Sequence, residues 1–445
     1  MKRLLTNCAI LETVNGDFHY IEKGFLGISG DVIDYIGETH PGRRYDEEKD
    51  MQGKMIIPGL INAHTHSAMT LLRGVGSDLA LQDWLFGEVI PIENRLQEAD
   101  LRAGMGLALL EMLSTGTTSY TDMYMGADIE ADLIKASGIK ATLCKILYGS
   151  DPEQSYEENG CGKEAIRLFQ RYNGTENGRL LFEFCVHAEY TSLPHLVRAY
   201  ALEAKNVGAR MHIHMSETQF EHEECIRKYG KTPAGWFNDL GAFDVPCHAA
   251  HCVWVSDSDM EIMKEKGVSC VHNPTSNMKL GSGFAPVVKM LDRGINVALG
   301  TDGAASNNNL NMFEEMHMAS VIHKGYSGDP TALGASDILK MATINGAKLQ
   351  GRNDTGAIEV GKKADLVAID LSGPHMRPVL DPVALIVYAA QGSDVAMTMV
   401  DGRILYEDGK FLTLDQKRIY RDVEAAVDRL YGNRNVSDKA GDSVE

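Results

Sequence analysis

The sequence predicts an α/β fold: a (β/α)8 TIM barrel with a small β domain built from both ends of the chain. First, strand-like runs alternate with helix-length segments after Ile57-Pro58-Gly59, which requires a parallel sheet covered on both faces. Second, eight such units fit into about 240 residues, the usual size of a closed barrel. Third, short alternating apolar and polar runs with turn dipeptides flank the barrel on both sides.

The N-terminal part, residues 1–57, carries hairpin signals at Asn15-Gly16 and Gly30-Asp31. Its opening, Met1 to Cys8, imitates a lipoprotein signal. Its apolar run, Leu4-Leu5, is far shorter than the roughly 7–15 residues of a signal core, so the segment reads as a first β-strand. Residues 58–354 form the predicted barrel. Its strand candidates end near His64, Met123, Tyr148, His187, His214, Val255, His272 and Asp302. Amphipathic stretches at 98–114, 128–137, 163–172, 194–206 and 256–266 supply helices between them. In the C-terminal part, 355–445, strands return at Ala364–Asp370 and Val395–Val400, with turns at Asp401-Gly402 and Asp408-Gly409. A helix from about Leu414 to Tyr431 closes the fold, and a polar, frayed tail follows Gly432.

Charge narrows the partners. Against 62 acidic residues stand 43 basic ones, a formal net charge of -19. That excess argues against a nucleic-acid backbone and against an anionic membrane surface. No apolar run approaches the ~20 residues of a membrane span. The expected partner is a small molecule, with a homo-oligomer left open. Eight cysteines without a CxxC pair read as thiols of a reducing compartment, which points to the cytoplasm.

Barrels of this type place their chemistry at the C-terminal ends of the strands. The first such end reads Asn62-Ala63-His64-Thr65-His66. Residues i and i+2 share a strand face, so both imidazoles can converge on one ion, or be two satisfied polar residues. The fifth end reads His212-Ile213-His214-Met215-Ser216-Glu217. His214 sits nearer the strand end, and Glu217 just beyond it supplies the acid/base group that a water-activating metal site needs. His212 is either a buried supporting residue or a direct participant. Asp302, after the apolar run Ile295–Leu299, reaches the same rim as a ligand or as a turn residue. His187 and His272 end the fourth and seventh candidates, and His251 lies on the sixth. Together these polar ends share one rim. His248 begins its strand and is expected at the opposite, stability end. His19, His40, His195, His222, His317, His323 and His375 read as surface or helix residues.

Three chemistries are excluded. The H-x-E with P-C-x-x-C signature of nucleobase deaminases is missing, since Pro246-Cys247 has no correctly spaced partner. There is no G-x-x-x-x-G-K-[ST] phosphate loop and no G-x-S-x-G nucleophile elbow.

In order, Pro58 to His66, His212 to Glu217, Ala250-His251-Cys252 and Gly300-Thr301-Asp302 resemble the amidohydrolase superfamily. Within it the chain is similar to the 5-methylthioadenosine/S-adenosylhomocysteine deaminase family. The segments that carry this are Trp84-Leu85 with Pro91-Ile92-Glu93, His272 to Gly281, and Thr301 to Asn308. The likeness runs from Met1 to about Tyr431.

The resemblance implies a barrel with one zinc ion and a composite β-sandwich from both termini. His64, His66, His214 and Asp302 match the metal ligands, for Zn2+ or alternatively Fe2+ or Mn2+. Glu217 and His251 match the acid/base and water-orienting residues, with Asp302 as base; Glu217 and Asp302 also meet the substrate. Glu93 and His187 match residues on the ribose side, and Trp84 a pocket aromatic. The fourth strand, Phe182 to His187, lacks the lysine that two-metal relatives carboxylate, which supports a single metal. Members that accept S-adenosylhomocysteine use two arginines beyond the third strand. Lys145 stands at the first position, and no clear arginine stands near Cys161. Lysine lacks the bidentate fork for a carboxylate.

The expected reaction is therefore hydrolytic deamination of a 5'-modified adenine nucleoside to the inosine analogue and ammonia. Methylthioadenosine, 5'-deoxyadenosine and adenosine stand ahead of S-adenosylhomocysteine as substrates. The alternatives are a related amidohydrolase acting on guanine-type or triazine rings, and a non-catalytic binding barrel. The filled metal and acid/base positions weigh against the last.

Overall fold

The computed structural model describes residues 1–432; the tail expected to fray after Gly432 lies outside the described residues. The barrel strands are β1 (Leu60–His66), β2 (Thr117–Asp122), β3 (Lys140–Leu147), β4 (Leu180–Val186), β5 (Met211–Met215), β6 (Cys247–His251), β7 (Ser269–His272) and β8 (Val297–Leu299). Each pairs in parallel with its neighbour in sequence. Asp302–Gly303, just past β8, lies beside Thr65 and His66 of β1 and joins the last strand to the first. This is the predicted (β/α)8 barrel.

The intervening helices include Glu98–Ser114, Ala127–Ser137, Cys161–Tyr172, Pro194–Val207 and Asp257–Lys266, close to the amphipathic stretches read from the sequence. Ser256 caps the last of these with its side chain on Asp259 N–H, and Gly267 ends it in the left-handed region. One strand end differs from expectation. β6 stops at His251, not near Val255, because His251 and Cys252 adopt φ of 73° and 51°, which breaks the extended ladder. The closure of β8 on β1 depends on Gly300. A Cβ there would lie 2.8 Å from the His64 backbone nitrogen, so no other residue fits without moving β1.

Outside the barrel, strands from both ends of the chain make one nine-stranded sheet. Lys54–Pro58 pairs in parallel with Lys2–Val14 and antiparallel with Leu366–Asp370, and so joins the two halves. The turns are those the dipeptides announced. Asn15-Gly16, Asp401-Gly402 and Asp408-Gly409 all have positive φ at both residues, the backbone of a type I′ hairpin. Bulges between Leu5 and Ile10 interrupt the first strand, and residues from both ends bury a common core that includes Leu5, Ile28, Leu366 and Met399. The C-terminal helix, Gln416–Tyr431, packs on Glu98–Ser114, with Arg429 Nε 3.0 Å from Asp100 Oδ1.

A buried ion cluster ties this sheet to the barrel. Lys140 of β3 places Nζ 2.6 Å from Asp365 Oδ1 and 2.6 Å from Asp401 Oδ1, and its side chain is 4% exposed. Removing the lysine leaves buried carboxylates without a counter-charge, which typically destabilises by about 3–5 kcal/mol. Lys140→Met is therefore expected to lower the free energy of urea unfolding by about that amount. A change below about 1 kcal/mol, the range of a surface ion pair, would refute this role for the cluster.

Candidate active site

The barrel mouth gathers the residues that the strand ends announced. β1 delivers His64 and His66, β5 delivers His214, and the segment after β8 delivers Asp302. One donor atom from each of the four lies within 4.8 Å of the others. Asp302 Oδ1 is 3.3 Å from His64 Nε2 and 3.1 Å from His66 Nε2. A tetrahedral ion with bonds of about 2.0–2.1 Å sets its donors about 3.3 Å apart. His64 Nε2 is buried and has no hydrogen-bond partner, as a ligand atom aimed at an ion would be. Three imidazoles and one carboxylate therefore fit a zinc ion, and the set also suits other first-row divalent metals.

The backs of these groups are fixed. His66 Nδ1 donates to the Met123 carbonyl at 2.7 Å, and His214 Nδ1 donates to the His187 carbonyl at 2.8 Å. Each bond sets the tautomer that leaves Nε2 free as a donor to a metal. Asp302 Oδ2 accepts from Ser276 Oγ at 2.6 Å and Ser306 Oγ at 2.9 Å, which aims Oδ1 at the histidines. Burial opposes ionisation of Asp302, but its contacts with His64 and His66 hold its carboxyl well below the usual range. Ser216 and Asp302 have φ of 50° and 62°; with His251, these left-handed non-glycine residues collect around the site.

Glu217 follows β5 on a tight turn. The Glu221 carboxylate accepts the backbone N–H of Ser216 and of Glu217, both at 2.8 Å, and so fixes that turn. Burial, then the charges of Asp302 and Glu221, push the Glu217 carboxyl well above its ordinary range. His251 Nε2 lies 3.7 Å from Glu217 Oε2, and its Nδ1 donates to Asn277 Oδ1 at 2.8 Å. Burial lowers the pKa of His251 and raises that of Glu217, so both groups are shifted toward their neutral forms.

These groups line one cavity of about 570 Å3. Trp84, Glu93, His187 and Lys145 line the same cavity, so of the residues that the resemblance implied only the buried His64 is absent from its lining. Glu93 Oε1 accepts from Tyr124 OH at 2.6 Å, and burial raises the Glu93 pKa. Burial lowers the pKa of His187 to about 3, so its ring is neutral. Trp84 donates its indole N–H to the Val75 carbonyl at 3.2 Å, which pins the ring.

The sequence reading missed Tyr124, Ser276, Ser306, Asn277 and Glu221. Ser276, Asn277 and Ser306 lie in the two stretches that carried the resemblance, but nothing in the sequence assigned them partners. Glu221 announces itself as the last member of a Thr218-x-x-Glu capping box, which is present in the structure. His272 does not join the site; its Nε2 lies 3.1 Å from Nε2 of His323, which is buried on helix Met312–Ser327 and not at the surface. His248 is also buried, beside Glu183.

Comparison with known proteins agrees with this frame. The amidohydrolase family model matches residues 55–405, and the chain belongs to that family. A relative named 5-methylthioadenosine/S-adenosylhomocysteine deaminase, from Acetivibrio thermocellus, is 45% identical over 97% of this chain and 100% of its own. A 5'-deoxyadenosine deaminase from Methanosarcina mazei is 41% identical over 98% and 100%. The solved structure of an adenosine deaminase from Xanthomonas campestris with bound zinc superposes with a TM-score of 0.90 at 30% identity, covering 96% of this chain and 98% of that one. All eight cysteines are free thiols. Among the described residues no helix is long and apolar enough to cross a membrane.

If the four clustered groups bind one ion, Asp302→Ala removes the anionic donor and opens the shell. Metal retained after dialysis, read by elemental analysis, is expected to fall to background in the folded variant; full retention would show that the ion sits elsewhere.

Proposed function

We propose that the protein is a zinc-dependent aminohydrolase that converts a 5'-modified adenine nucleoside to the inosine analogue and ammonia. The observation that carries this reading is the placing of Glu217 and His251, 3.7 Å apart, beside the four-donor group in a cavity that also contains Glu93 and His187. The named activities of the relatives support it.

His64, His66, His214 and Asp302 would hold the metal. Bound there, it acts as a Lewis acid that makes water a competent nucleophile near neutral pH. Asp302 takes one proton from the attacking water. His251, held by Asn277, orients that water through Nε2. Glu217 gives its proton to the ring nitrogen beside the amino-bearing carbon, which makes that carbon electrophilic as the C–O bond forms. The C–N bond then breaks. The amino group leaves as ammonia with the proton from Asp302, and Glu217 recovers a proton from the new hydroxyl as the carbonyl forms. Glu93 and His187 hold the ribose, and Trp84 packs the pocket, so that binding energy aligns the ring.

Small, neutral 5' groups fit this cavity best. Lys145 lines it, but so do Asp128 and Glu164. Arg167 is tied to both of these carboxylates at 2.8 Å and so does not offer a free fork. A homocysteine carboxylate would find there only the point charge of Lys145, without a bidentate fork. Methylthioadenosine, 5'-deoxyadenosine and adenosine are therefore expected to exceed S-adenosylhomocysteine in kcat/KM, read by loss of adenine absorbance. The reverse order would overturn this substrate reading, and activity on guanine or a triazine alone would overturn the nucleoside. The same reading divides the chain into a sheet part (1–57), a barrel (58–354) and a returning sheet part with its helix (355–445). The membership of Lys54–Pro58 and Leu366–Asp370 in the outer sheet supports that division.

Glu217→Gln is expected to keep its zinc and lose about 10²–10⁴-fold in kcat. Unchanged turnover would remove Glu217 from the mechanism. A general acid must hold its proton, and burial raises the pKa of Glu217. Activity should therefore fall as pH rises past that raised value. A rate that rises with pH through the same range would contradict the role.

A further inference from the structure

A second group of titratable side chains lies in the barrel interior, outside the proposed mechanism. Glu183 of β4 and His212 of β5 are fully buried, and His248 of β6 is 1% exposed. Glu183 Oε1 is 3.3 Å from His212 Nδ1 and 3.3 Å from His248 Nε2. Among the described residues, no hydrogen bond of ordinary geometry reaches these atoms. The far nitrogen of His212, Nε2, lies 3.0 Å from Nδ1 of His64. A line of groups therefore runs from Glu183 through His212 to His64 and ends on Asp302, whose Oδ1 is 3.3 Å from His64 Nε2.

By donor type and spacing, Glu183, His212 and His248 resemble a second metal site. Counting protons excludes it. A neutral His64 that ligates through Nε2 carries its proton on Nδ1, because each neutral imidazole has one donor and one acceptor nitrogen. That proton faces His212 Nε2, which must accept it. The proton of His212 then sits on Nδ1, facing Glu183. A protonated nitrogen has no lone pair for a metal, so the two candidate metal groups exclude each other. Reversing every bond would turn the His64 proton toward Asp302 and block the ligand atom. Two carboxylates, one at each end of the line, thus compete for the orientation of two imidazoles.

We propose that Glu183, braced by His248, is the positioning residue that settles this competition, holding His212 and through it His64 in the ligand-competent tautomer. Carboxylate partners of this kind fix ligand tautomers, and their loss typically weakens metal binding about 10–100-fold. The inference rests on the metal reading of the pocket.

Two measurements test it. In the zinc-loaded protein labelled with 15N-histidine, His212 is expected to show a protonated Nδ1 and a bare Nε2. The opposite tautomer would overturn the proposal, and this measurement needs no variant to fold. In Glu183→Gln, chelator competition is expected to show zinc affinity about 10–100-fold weaker, with one zinc still bound per chain at saturation. Unchanged affinity in the folded variant would overturn it, as would two zinc ions per wild-type chain. A wild-type protein that binds no zinc at all would overturn both this inference and the metal reading beneath it.

Discussion

Everything at the barrel mouth follows from one constraint: four donor atoms must point at one spot while each keeps the protonation state that makes it a donor. Packing alone cannot meet this, because an imidazole can be correctly placed and still carry its proton on the wrong nitrogen. The chain meets it from behind. Met123 O and His187 O accept from His66 and His214, and Ser276 and Ser306 donate to the far oxygen of Asp302. His64 differs because its back faces another imidazole, His212. That difference gives the buried Glu183 cluster a function to serve.

The proposed acid/base pair is held by the same principle, applied to different groups. Glu217 sits on a turn whose N–H groups are collected by Glu221, and His251 leans on Asn277. Burial then separates their states, raising the carboxyl and lowering the imidazole. The left-handed backbone at Ser216, His251 and Asp302 has a shared physical sense: each residue turns the chain sharply at the end of its strand and brings a side chain over the mouth.

The net charge of -19 is compatible with an uncharged nucleoside substrate, which an acidic field does not repel. Some of those carboxylates hold the fold together. Asp365 and Asp401 fix the outer sheet to β3 through Lys140, and Asp100 holds the C-terminal helix through Arg429.

The sequence by itself determined the architecture and picked out most of the residues that meet at the barrel mouth. Strand and helix periodicity is local, and type I′ turns are written in dipeptides such as Asn15-Gly16. It also named His64, His66, His214, Asp302, Glu217 and His251, because these sit in short ordered motifs. It could not decide between a ligand and a supporting role for His212, end β6 at His251, or bury His323 against His272. Nor could it find Ser276, Asn277 or Tyr124. Those outcomes depend on which side chains meet across strands far apart in sequence, such as His64 with His212 or Asp302 with Ser276. Only the closed barrel brings such pairs within hydrogen-bonding distance and so fixes where each proton lies.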